Sequence, residues 1–311
     1  MTSVCELLNT TYPLIQGGMA QIADHRLASA VANAGGLGLI AASIDDKETV
    51  REKIRKCKEM TQGSFGVNIM LKSPHADEIA DLVIEENIKF VTTGAGNPGK
   101  YMNAWKQAGV IVIPVVASVG LAQRMEAAGA DAVIGEGQEA GGHIGELTTM
   151  TLIPQLVDQL SIPVIAAGGI GDYRGVLAAF ALGAKGVQVG TLFLIAEETP
   201  IHMNYKNRVL QARDIDTIVT GRISGQAVRV LKNSLAREVV LREKKGLSQE
   251  ELEELTLGSL KLAVIDGDID KGSFMAGQIA GLLHEIRPVK AIIESLFLPL
   301  EDAIKKLHIQ S

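Results

Sequence analysis

The chain has 311 residues, 47% of them apolar, and a formal net charge of −6 with an isoelectric point near 5.6. That length and apolar content exclude a disordered chain and can supply a full core. The acidic balance gives no overall pull toward nucleic acid.

The first residues, MTSVCELLNTTYPL, show no basic stretch followed by an apolar one, so no signal peptide is expected. Eight short, nearly continuous apolar runs then follow: PLIQGG (13–18), GLGLIAA (36–42), FGVNIM (65–70), KFVTTG (89–94), VIVIPVV (110–116), DAVIGEG (131–137), PVIAAGG (163–169) and GVQVGT (186–191). Each reads as a strand buried on both faces. None is long enough to span a bilayer. Amphipathic helical patterns fill the gaps, as in DDKETVREKIRKCKEM and HADEIADLVIEEN. A spacing of roughly 20–30 residues from run to run is that of βα units. AAGADAVIGEG and ALGAKGVQVG echo one another, each passing from a helix end through Gly-Ala to a strand that ends in glycine.

Eight such units predict an α/β protein with a (β/α)8 TIM barrel over residues 1–200. A doubly wound open sheet is the alternative. Residues 201–311 read as a helical appendage on the barrel mouth, with helices over 205–213, 227–245, 248–266 and 289–307 and an irregular loop, GDIDKGSFMAGQ, over 267–278. Residues 201–245 hold ten lysines and arginines against four carboxylates. Such a run reads either as solvated helix faces or as a positive rim. Cys5 and Cys57 form no metal-spaced or redox pair, which fits a reducing cytoplasm.

GAGNPG (94–99) matches the dinucleotide fingerprint G-x-G-x-x-G literally. It follows the fourth run rather than the first, Pro98 restrains Asn97 to extended backbone, and no acidic residue follows at the proper distance. A substrate-facing barrel loop is the better reading. The ends of the last two runs are more informative. Gly168 and Gly169 end the seventh, and Gly190 and Thr191 end the eighth, where many barrels build a phosphate site from backbone N–H groups. Two ordinary tight turns would carry the same glycines. Gly17, Gly18, Met19 and Asn68 sit at the ends of other runs, and Glu136 and Gln188 lie within the sixth and eighth. Their donors and acceptors suit the edge of a planar heterocycle. Each alone would equally serve a hydrogen-bonded barrel interior. His143, in the glycine-rich stretch GEGQEAGGHIG (135–145), is the candidate proton donor. A lone loop histidine can also be structural.

The motifs YPLIQGGMA, AGGLGLIAA, FGVNIML, VTTGAGNP, EGQEAGGHIG, IPVIAAGGI, GVQVGTLFL and GSFMAGQIAGL together resemble the flavin-dependent (type II) enoyl-[acyl-carrier-protein] reductases. These belong with the nitronate monooxygenases, or 2-nitropropane dioxygenase-like proteins, in one FMN-binding barrel family. The resemblance runs from about residue 4 to 285. It implies FMN, with phosphate on Gly169, Gly190 and Thr191 and the ring near Gly18, Met19, Asn68, Glu136 and Gly141. Gly17, Gly142, Ala167, Gly168, Gln188 and Val189 complete the implied cofactor contacts.

It further implies NADH or NADPH as co-substrate and an enoyl-acyl-carrier protein, or an enoyl-CoA analogue, as partner. His143 is then the general acid. A monovalent cation and a homodimer are left open, and neither nucleic acid nor membrane is implied. The basic 201–245 segment would steer an acidic carrier protein. A nitronate monooxygenase and a non-catalytic FMN- or phosphate-ligand-binding protein are the alternatives. Nitronate monooxygenases usually carry Gln where this chain has Glu136. Gln21 stands where many of the reductases place an aromatic residue, which leaves the substrate channel near the first strand open.

Overall fold

In the computed structural model, which describes residues 3–223, 225–246 and 248–307, the eight apolar runs form the parallel strands of a barrel. They are β1 (Leu14–Gln16), β2 (Gly38–Ala42), β3 (Phe65–Met70), β4 (Phe90–Gly94), β5 (Ile111–Val116), β6 (Val133–Glu136), β8 (Val164–Ala167) and β9 (Gly186–Val189); a two-residue strand, β7 (Gly142–His143), stands apart from them. The strands pair in the order β1-β9-β8-β6-β5-β4-β3-β2. A parallel bridge between Ile15 and Leu37 draws β1 against β2 and closes the ring. There, Gln16 N donates to Leu37 O at 2.9 Å and Leu37 N donates to Leu14 O at 2.8 Å. The buried Gln16 amide is satisfied at the same seam. Its Oε1 accepts from Leu39 N at 2.9 Å and its Nε2 donates to Gly17 O.

The barrel interior is apolar because its strands are covered on both faces. Ile15, Leu39, Phe90, Ile113, Ile134 and Ile165 form one cluster with Val4 and Leu8. The latter two belong to the short helix Val4–Leu8. Val4 lies against Gly186, the first residue of β9. The helix therefore plugs the end where the strands begin and leaves the other end open. Polar caps start the surrounding helices. Asp24, Asp46, Ser118 and Asp172 each accept from a first-turn N–H of the helices His25–Asn33, Lys47–Met60, Val119–Ala127 and Tyr173–Ala181.

Besides a break in the 248–266 stretch at Gly258 (φ +73°), between the helices Gln249–Thr256 and Ser259–Lys261, the C-terminal third departs from the helices read in the sequence at two places. The stretch 227–245 is not one helix: it gives β11 (Val228–Leu231) and the helix Ser234–Glu243, separated by Asn233, whose side chain caps the helix by accepting from Ala236 N at 3.0 Å. β11 pairs antiparallel with β10 (Thr217–Thr220) on one side and with β7 on the other. Val228, Val230 and Leu231 favour the extended state locally, and the partners lie far away in sequence. The second departure is at the end of the chain. The 289–307 stretch breaks at Pro299 into Val289–Phe297 and Leu300–Lys306. The first of these helices returns to the barrel and packs against His25–Asn33 and Tyr173–Ala181. Its Val289, Ile292, Ile293 and Leu296 are fully buried. It supplies the outer helix that β9 otherwise lacks.

The turn between β10 and β11 is held by a buried carboxylate. Glu243, at the end of its helix, accepts from Gly221 N at 3.0 Å and from Ile223 N at 3.2 Å. Glu243→Gln presents an amide NH2 to one of those donors. The expected loss is about 1–3 kcal/mol, the cost of a buried hydrogen bond to a charged group. It would be read as a lower melting temperature in thermal unfolding; an unchanged midpoint contradicts the role.

Candidate functional site

A cavity of about 480 Å3 opens where the barrel strands end, a size suited to a cofactor. Every residue read from the sequence as catalytic or cofactor-binding borders it. Gly17, Gly18 and Met19 follow β1, and Asn68 lies in β3. Glu136 ends β6, and Gly141, Gly142 and His143 come from the loop beyond it. Ala167, Gly168 and Gly169 end β8, while Gln188, Val189, Gly190 and Thr191 end β9. The appendage roofs the chamber with Leu260, Met275, Gly277 and Ile279.

At the β8–β9 end, Gly168 and Gly169 take φ of +89° and +74°, backbone that favours glycine. Among the described residues no backbone carbonyl accepts from the N–H of Gly168, Gly169 or Gly190. Thr191 Oγ1 accepts from Gly277 N at 2.8 Å, so its own proton is free to donate. Three unengaged N–H groups and a hydroxyl donor make an anion cradle.

The β1–β6 side offers polar edges. Asn68 Nδ2 donates to Thr92 Oγ1 at 2.9 Å, which fixes the amide. Gly18 lies so close to that amide that an added Cβ would overlap it at 2.2 Å. Gln188 Oε1 and Ser43 Oγ are buried with no partner among the described residues. Both belong to residues that border the chamber. Buried polar atoms are normally paired, so these two await a donor or acceptor from a ligand. Glu136 sits half-buried in the wall, and burial pushes its carboxyl up to about 7.

His143 is held by its backbone. β7 pairs with β11, Gly142 opposite Arg229 and His143 opposite Val228. The imidazole is reached by water through the cavity, yet protein crowds it. Desolvation, and then the charge of Lys72, hold its pKa below the usual imidazole value. Arg229 is buried and donates from Nε to Gln138 O at 3.0 Å and from Nη1 to Thr217 Oγ1 at 3.1 Å, tying the His143 loop to the hairpin. Gln278 N donates to Glu139 O at 2.9 Å and ties the same loop to 267–278.

Sequence reasoning missed Ser43, Lys72, Glu139 and Gly277. Glu139 carried no local signal: it caps the helix Thr149–Gln159 from ten residues upstream, its two oxygens each accepting from Thr149 N at 3.0 Å. Gly277 lay inside the loop already read as irregular. An added Cβ there would meet Glu139 O at 2.6 Å. Gln21 adopts φ of +60° and does not border the chamber among the described residues, whereas Met19, Ala20 and Ile22 do.

The GAGNPG loop does reach the site, through Gly94 and neighbours Ala95 and Gly96, and its helix begins only at Gly99. The basic 201–245 segment is largely engaged elsewhere. Lys206 and Arg229 are buried. Arg213, Arg222 and Arg242 pair with Asp216, Glu146 and Glu238. Arg208 and Lys232 donate to backbone carbonyls. Arg237, Lys244 and Lys245 remain exposed with no ion pair among the described residues. No helix among the described residues is long and apolar enough to cross a membrane.

The structure is similar to that of FabK from Thermotoga maritima, with a TM-score of 0.95 and 46% identity over 99% of this chain and 98% of that one. In sequence it is 34% identical to the (3aS,4S,5R,7aS)-5-hydroxy-7a-methyl-1-oxo-octahydro-1H-indene-4-carboxyl-CoA dehydrogenase of Mycobacterium tuberculosis, covering 100% of this chain and 98% of the relative. It is also 34% identical to a probable nitronate monooxygenase of Staphylococcus saprophyticus, over 76% of this chain and 80% of the relative. The family model described as nitronate monooxygenase matches residues 2–298. The chain is therefore an oxidoreductase-type barrel that belongs to the nitronate monooxygenase family.

Proposed function

We propose that the protein is an FMN-dependent enoyl-thioester reductase of fatty-acid synthesis, taking reducing equivalents from NADH or NADPH and acting on enoyl-acyl-carrier protein. One observation carries the reading. The chamber joins an anion cradle, a polar-edged wall and a backbone-anchored histidine within one cavity. The likeness to FabK supports it over nearly the whole chain. So does the Mycobacterium tuberculosis relative, whose name makes a carboxyl-CoA its substrate.

FMN fits the residues present. The N–H groups of Gly168, Gly169 and Gly190 and the Thr191 hydroxyl would hold its phosphate. Gln188 Oε1, unpartnered and buried, would accept from the ring edge. Bound there, FMN supplies the hydride for the β-carbon of the enoyl thioester. The chain itself supplies orientation and a proton. His143 holds a proton on its imidazole and delivers it to the α-carbon. Met275, Ile279 and Leu260 roof the chamber with apolar surface and exclude water.

A second reading, oxidation of alkyl nitronates, is favoured by the direction of the His143 pKa. An imidazole held below its usual value is mostly neutral near pH 7 and suits a base better than an acid. The two readings give opposite pH limbs. A proton donor works in its protonated form, so turnover of a crotonyl thioester should fall as pH rises through a pKa below the usual imidazole value. A base would give a rate that rises through the same pKa. A rising limb, with oxygen uptake on a nitronate and no thioester turnover, would replace the first reading by the second.

His143→Ala is expected to keep its flavin, since the loop is fixed by backbone pairing, and to lose about 10²–10⁴-fold in turnover. Absorbance near the flavin band and steady-state rates report the two quantities separately. A variant that loses its flavin instead makes the histidine structural.

Glu136 gives a stability test. Its folded carboxyl titrates near 7, against an ordinary value of about 4.3 when unfolded. The folded state thus holds the extra proton between those values, and stability is lost as pH rises through that window. Glu136→Gln removes the loss. Its melting temperature relative to the parent should therefore be higher at pH 8 than at pH 5; a pH-independent difference would refute the burial argument.

A further inference from the structure

Lys72 is the one lysine or arginine that borders the chamber among the described residues. It follows β3 and is exposed at the rim. Lysines of the helices Lys47–Met60 and Gly99–Gln107 have acidic partners: Lys47 pairs with Glu85, Lys53 with Asp45 and Lys100 with Asp77. Among the described residues, no ion pair engages Lys72. Its position is fixed rather than loose. Leu71 N donates to Gly94 O at 2.9 Å, and Ser73 N donates to Met70 O at 2.9 Å. The Leu71 side chain lies over Gly96, where an added Cβ would stand 2.7 Å from Leu71 Cβ. The loop is thereby clamped between the ends of β3 and β4.

We propose that Lys72 is an anion-recognising residue of the chamber, taking a phosphate of the incoming co-substrate: that of the thioester's pantetheine or coenzyme A arm, or the 2′-phosphate of NADPH. The inference rests on the reductase reading given above. A phosphate is the shared chemistry of both co-substrates, and a lysine at a cavity rim binds it as a point charge.

The position has a consequence for His143. Lys72 is the charge that acts on the imidazole, and it acts against the protonated form. The other charged groups around His143 are Glu136 and Glu139 in the chamber wall, with Arg229 and the Arg222–Glu146 pair on the side of the hairpin. A phosphate seated on Lys72 cancels the repulsion. The substrate then brings the counter-charge that lets His143 keep its proton.

The test uses the flavin-loaded full chain, parent against Lys72→Gln. Co-substrates are offered in pairs that differ in phosphate: crotonyl-CoA against the crotonyl thioester of N-acetylcysteamine, and NADPH against NADH. The variant should raise KM about three- to fivefold for one phosphate-bearing member and leave its phosphate-poor counterpart unchanged, the scale of one exposed charge contact. The member affected identifies the source of the phosphate. The rise of parent KM with salt should flatten in the variant. The pKa in its pH–rate profile should move up, which a merely structural lysine would not produce. KM values unchanged from the parent for all four compounds, with an unmoved pH profile, overturn the assignment. A parent inert toward both thioesters sinks the reductase reading itself; Lys72 then stands or falls on NADPH against NADH in the reduction of the flavin.

Discussion

The antiparallel pairing of Gly142 and His143 with β11 is the constraint on which the site depends. A loop with five glycines over 135–145 would otherwise carry a large conformational entropy. The pairing fixes its backbone and leaves the His143 side chain unengaged. Arg229 repeats the tie through Gln138, and Gln278 repeats it through Glu139. Thr191 then links the same 267–278 loop to the anion cradle by accepting from Gly277. The appendage is thus the part of the molecule that turns a barrel end into a chamber. Tyr205 anchors it from below, donating to Met275 O at 2.8 Å from a fully buried position.

Electrostatics inside the chamber follow from the same enclosure. Burial raises Glu136 to about 7 and lowers His143, so both groups are pushed toward their neutral forms. Such an interior disfavours any isolated charge. It also brings the Glu136 titration near neutral pH, where small changes in local charge decide protonation. A ligand that carries phosphate and a flat polar ring would change both. The charges that matter at this site are consequently those that arrive with the ligand.

Much of the barrel was legible because its signal is local. A run such as FGVNIM or PVIAAGG announces a buried strand by composition alone, and the interval to the next run announces a helix between them. The ends of those runs are the site, so the glycines after β1, β8 and β9 were legible too. What escaped was non-local. β7 is two residues long and exists only because β11 lies beside it, 85 or more residues later. AVRVLK reads as well for a helix as for a strand until that partner is in place. The helix Val289–Phe297 looked like part of the appendage because nothing in its amphipathic pattern says which surface it covers. Lys72 and Ser43 were invisible for a different reason: an exposed lysine and a buried serine acquire meaning only from the cavity they border.

The same division bears on how one family accommodates relatives named as monooxygenase and as dehydrogenase. The anion cradle is built mainly from backbone, at Gly168, Gly169 and Gly190, and backbone donors are indifferent to most substitutions elsewhere. The chamber's outer wall is built from side chains outside the barrel strands: Lys72 after β3, Leu260 and Met275 from the appendage. Changing those residues alters charge and shape where a substrate enters while the cradle stays as it is. Function in such a barrel should therefore diverge first at the rim, and the reaction type should be argued from the rim residues rather than from the glycine-built cradle.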